Sequence, residues 1–137
     1  ELDGSWGSTD TSGHGAINVL LKDDLYSSLF TGETRYYNLA RGTLAHELGH
    51  CVMHVGIMRR RRDRVATHLL RPISTSTFKI YEVSEWQAWV FAGAFLAPPA
   101  TITMLKLKTL SNAASLYQTS TELMRKHLKR QKLDMEE

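Results

Sequence analysis

The chain has 137 residues, 42% apolar and 23% charged, with a formal net charge of +3, which is the length and make-up of one ordinary globular domain with its own core. Cys51 is its only cysteine, which excludes an intrachain disulfide and a cysteine-rich zinc cluster and fits a reducing compartment. No apolar run reaches the roughly 18 residues of a membrane span, and no charged-then-apolar leader pattern opens the sequence, so a cytoplasmic protein without membrane contact is expected.

Residues 1–15, rich in Gly, Ser, Thr and Asp, are predicted to be an irregular lead-in to a single domain. Ala16 to Leu21 is short, apolar and partly β-branched, the pattern of a strand. Tyr26 to Phe30 and Arg35 to Tyr37, with turn residues between them, suggest small strands or a hairpin. Asn38 is placed to cap a helix beginning near Ala40.

Along that helix Leu44, Leu48, Cys51, Val52 and Val55 fall on one face at a 3.6-residue period. His46, His50 and His54 fall on the opposite face, one turn apart, with Glu47 beside them. Gly49 lies inside the helix, where glycine costs about 1 kcal/mol relative to alanine. A close approach by another element would explain it. Gly56 is expected to end the helix.

Residues 57–80 read as a long basic loop, with Arg59, Arg60, Arg61, Arg62, Arg64 and Arg71 opposed only by Asp63. An arginine run of this kind most often belongs to a solvated loop, although it can mark an acidic partner. A second helix is predicted after Ser84, where Ser84 and Gln87 have capping-box spacing. Pro98 and Pro99 stop it. Residues 110–133 form a helical hairpin of helix-turn-helix outline, with Thr119 and Glu122 as a second capping box.

The chemistry lies in His46-Glu47-Leu48-Gly49-His50, an H-E-x-x-H sequence. Histidines at i and i+4 share a helical face and can ligate one tetrahedral Zn²⁺. Glu47, at the edge of that face, can act as general base on a water that the metal activates. A catalytic zinc needs a third protein ligand and an open fourth position. His54, Asp63, Glu82 and Glu85 are the candidates. His54 lies about 12 Å along the helix axis from His46, too far to share an ion, which leaves it a supporting role. Glu85 starts a face continued by the small residues Ala88 and Ala92, which would let the second helix approach the first.

Thr43-Leu-Ala-His-Glu-Leu-Gly-His50 with His54, then Glu85 through Pro98, resembles the ImmA/IrrE-type metallopeptidases. Their pattern T-x-A-H-E-L-G-H-x-x-x-H is followed by E-x-x-A-N-x-F-A-x-x-L-L-x-P, which Glu85, Ala88, Phe91, Ala92, Leu96 and Pro98 match. The resemblance covers about residues 16–133. It implies His46, His50 and Glu85 as zinc ligands and Glu47 as base. It also implies a zincin-like α+β fold: a small sheet, the two motif helices and the C-terminal hairpin. The implied function is cleavage or inactivation of a regulatory protein, a helix-turn-helix repressor, from a mobile element or stress response. Trp89 departs from the usual Asn or Asp, Phe95 from Leu, Ala97 from Met, and Gly42 from an aromatic. Trp89 shares a side of its helix with Glu85 and could reshape or close the cleft.

Two other functions compete. A non-catalytic regulator would bind the repressor without cleaving it. A nucleic-acid binder would use Arg59–Arg62 and the Arg125, Lys126, Lys129, Arg130 face, but no base-reading pattern accompanies those charges and the acidic lead-in opposes it.

Overall fold

The computed structural model describes residues 6–10, 16–56, 59, 80–133, 135 and 136. Almost all of the expected 57–80 loop therefore lies outside the described residues, as do Asp63 and the side chain of Glu82.

The architecture is α+β. Strand β1 (Gly7–Asp10) pairs antiparallel with β2 (Asn18–Leu21), Gly7 opposite Leu21 and Asp10 opposite Asn18. The expected irregular lead-in is thus corrected at residues 7–10: the strand's backbone finds its partner in β2, and Trp6 O accepts from Lys22 N–H at 3.1 Å.

Helix α1 (Asp23–Thr31) occupies the stretch expected to hold strands around Tyr26–Phe30. Asp23 and Asp24 in its first turn suit the helix dipole, and Leu25 and Leu29 stand one turn apart. Gly32, at φ 71°, ends it in the left-handed conformation that glycine adopts without strain. Helix α2 (Thr34–Met53) then starts six residues before the expected Ala40, so Asn38 lies inside it rather than capping it.

Helix α3 (Ile80–Leu96) likewise begins before Ser84, which cannot cap it, and Gln87 is committed elsewhere. Pro98 and Pro99 break the chain as expected, and Pro99 opens α4 (Pro99–Leu105), bent 43° from Ser84–Leu96. Among the described residues no single helix is long and apolar enough to cross a membrane.

The hairpin consists of α5 (Leu110–Leu116) and α6 (Thr121–Gln131). Its second cap falls one residue later than expected. The Ser120 hydroxyl accepts from Leu123 N–H, while Thr119 Oγ1 is buried without a partner. Ala97, Ile102, Leu110, Ala113, Ala114, Met124 and Leu128 form the core joining the hairpin to α4.

The two faces of α2 bury differently from what their polarity suggests. Leu44, Leu48 and Val52 are exposed, the last by 66%, whereas His46, Glu47 and His54 are buried. The reason is α3. Its Ala88 and Ala92 are fully buried, and a Cβ on Gly49 would come within 3.1 Å of Ala88 Cα. The close approach that Gly49 implied is therefore real, and it carries the histidine face inward.

His127 on α6 is buried with Nε2–H donating to Ala97 O at 2.9 Å and Nδ1 unpartnered. Burial, first, and the charge of Arg130 hold its pKa below the ordinary value. Below pH ~6.5 the unfolded chain takes up a proton that the folded chain resists, so stability falls as pH drops through that range. Urea titrations at pH 7 and pH 5 should show this loss, and His127→Gln, which keeps a donor for Ala97 O, should lose less over the same interval.

Candidate metal centre

Helix α2 presents His46 and His50 one turn apart, and α3 brings Glu85 to them from 35 residues beyond His50, a separation that no local pattern spans. The Nε2 atoms of His46 and His50 lie 3.1 Å apart. Glu85 Oε2 is 3.1 Å from His46 Nε2, and Oε1 is 3.0 Å from His50 Nε2. Ligands held 2.0–2.1 Å from a tetrahedral zinc are separated by roughly 3.3 Å. The donor set and its spacing therefore fit a metal ion. These three residues are the group among the described residues whose ligand atoms converge within 4.8 Å.

His46 is buried and His50 half-buried, while the Glu85 side chain keeps 56% of its surface exposed. The hydrogen bonds from His46 and then His50 pull the Glu85 carboxyl far below the usual carboxylate range, against the opposing effect of burial. That surrounding favours the ionised carboxylate, the form in which such a group can ligate a metal.

Glu47 is buried beside the pair, and its carboxylate does not join the triangle. Thr9 Oγ1 on β1 donates to Glu47 Oε2 at 2.6 Å, a short charge-assisted bond that satisfies a buried carboxylate. Thr9 was invisible to sequence reasoning: it is 38 residues from Glu47 and sits in a stretch that reads as irregular. β1 comes close enough because Gly7 rests on Thr43, whose Cγ2 would lie 2.7 Å from a Cβ there.

A cavity of about 460 Å³ opens over these groups, lined by Thr9, His46, Glu47, His50, Glu85 and Trp89 among others. Trp89 lines this cavity and does not close it. Its ring lies 4.2 Å from that of His46, tilted by 41°. His54 stands outside the triangle, as its distance along the helix required. Its Nδ1 is 3.0 Å from His50 Nδ1, and its Nε2 is 2.9 Å from Gln87 Oε1.

Residues 38–129 match the family described as the IrrE N-terminal-like domain, Peptidase_M78. The chain belongs to that family. No curated protein and no solved structure matches it. Membership makes this a metallopeptidase-family protein, in agreement with the ImmA/IrrE resemblance of the two motif blocks. The matched stretch contains His46, Glu47, His50 and Glu85 but neither strand nor α1, so the Thr9 contact lies beyond it.

Of the basic residues of the nucleic-acid alternative, Arg59, Arg125, Lys126 and Arg130 are engaged with the protein. Arg59 Nη2 donates to Ala16 O at 3.2 Å. Arg125 and Lys126 pair with Glu122 at 3.0 and 3.1 Å, and the Arg130 guanidinium lies 5.9 Å from the centre of the Trp86 ring.

Proposed function

We propose that the protein is a zinc-dependent endopeptidase that cuts a regulatory protein, with a helix-turn-helix repressor as the substrate class. The supporting observation is a buried carboxylate, Glu47, facing the same cavity as a His-His-Glu donor triangle. A structural zinc is closed by four protein ligands and has no use for such a base. Here three donors converge and leave a fourth direction open towards the cavity.

His46, His50 and Glu85 are the ligands in this reading. Zinc held there supplies Lewis acidity, lowering the pKa of water and polarising a carbonyl. Glu47 takes the proton of the attacking water and returns it to the leaving amine. Thr9 engages Oε2, which leaves Oε1 to carry that proton and fixes the carboxylate's rotation. Trp89 and residues of β1 wall the cavity that a substrate would enter.

The test is incubation of the zinc-loaded protein with helix-turn-helix repressors encoded near it, followed by intact-mass analysis. Two fragments summing to one repressor plus one water are expected, and a chelator should abolish them. Repressors that stay intact yet lose DNA binding in the protein's presence would replace cleavage with binding alone.

A further inference from the structure

The two histidines of the triangle are held in different ways. His46 Nδ1 is buried with no hydrogen-bond partner, and its ring is positioned by the Trp89 ring against it. His50 Nδ1 instead meets His54 Nδ1 at 3.0 Å, and His54 Nε2 meets Gln87 Oε1 at 2.9 Å. Two Nδ1 atoms at that distance share one hydrogen, so the tautomers of the two rings are linked.

A metal ligand must present a bare nitrogen. If His50 offers Nε2, its hydrogen resides on Nδ1 and His54 Nδ1 must accept it. His54 then carries its own hydrogen on Nε2, which needs an acceptor, and Gln87 Oε1 stands there. The opposite arrangement puts a hydrogen on His50 Nε2, which suits donation to Glu85 but blocks ligation. A glutamine amide can serve either direction by rotating half a turn, whereas a cation in its place could serve only the second.

We propose that His54 and Gln87 are positioning residues, a relay that sets the His50 tautomer and orients its ring for the metal. The relay spans both motif helices, so it also ties the α2 ligand to the element that supplies Glu85. His54 needs burial for this task and has it, at 8% exposure. The role rests on the metal-site reading above. It also explains a third histidine on the face that lies beyond reach of the ion.

The test is zinc affinity of the full chain, measured by chelator competition, with circular dichroism of each metal-free protein as a fold control. His54→Leu removes the acceptor and should weaken zinc binding by about 10- to 100-fold, the usual effect of losing such a partner. His54→Asn places an amide oxygen where Nδ1 was and should stay within about fivefold of the parent. Gln87→Met, of similar length but without the acceptor, should bind more weakly than the parent and serves if His54→Leu fails to fold. Equal affinities for His54→Leu and His54→Asn, or a Gln87→Met affinity equal to the parent's, overturn the relay while leaving the metal site standing. A parent that binds no zinc overturns both.

Discussion

Glu47→Gln is expected to fold normally and keep its zinc while losing cleavage by at least about 10²-fold, the lower end of what a positioned general base contributes. The substitution preserves shape, and Thr9 Oγ1 can still donate to the amide oxygen that replaces Oε2. What disappears is a group able to hold a proton. The ligand triangle excludes Glu47, so metal content should not change. Cleavage of a repressor with parent and variant, measured alongside zinc content, separates the base from the ligands. If Glu47→Gln cleaves as fast as the parent, another group is the base. If it relieves repression equally well while neither protein cleaves, the protein acts by binding.

Removing a ligand should act on stability as well as on activity. A ligand that binds only the folded state stabilises it by about 2.7 kcal/mol at 100 times its dissociation constant. The parent should therefore melt several degrees higher with zinc than without, and His50→Ala should lose that zinc-dependent shift. Glu85→Gln should reduce it, because an ionised oxygen ligand becomes a neutral amide. In the metal-free protein the carboxylate is held far below its usual pKa by the two imidazoles, so it arrives at the site already charged. A thermal shift with zinc in His50→Ala as large as the parent's would place the ion elsewhere.

The part of the site that lies within short range was legible in the sequence. His46, Glu47 and His50 come from one helix, and helical spacing alone predicts their common face. Gly49 and the small residues Ala88 and Ala92 announced a close helix pair, and the structure brings Gly49 onto Ala88. Glu85 was one of several candidates by spacing and was singled out by the family pattern. The polarity of α2 misled in one respect: the histidine face turns inward because each ring finds a partner on α3 or on its own helix. Leu44, Leu48 and Val52 are left facing out.

Contacts formed across long stretches of chain were not legible. Thr9 reaches Glu47 through a strand whose residues have little strand propensity and which owes its form to pairing with β2. The aromatic residues Tyr26 and Phe30 favour strands in isolation, whereas α1 forms because Leu25 and Ser28 are buried together as helical neighbours. Gln87 had the spacing of a cap, but α3 begins earlier and frees its amide for His54.

If His46, His50 and Glu85 hold one catalytic zinc, the metal content of the purified protein must show it. Native mass spectrometry of the parent and of a His46→Ala, His50→Ala double variant should give one zinc per parent chain and none for the variant. A parent that carries no metal after purification in zinc-containing buffer, or a double variant that still carries one zinc per chain, would mean that these residues do not hold the ion.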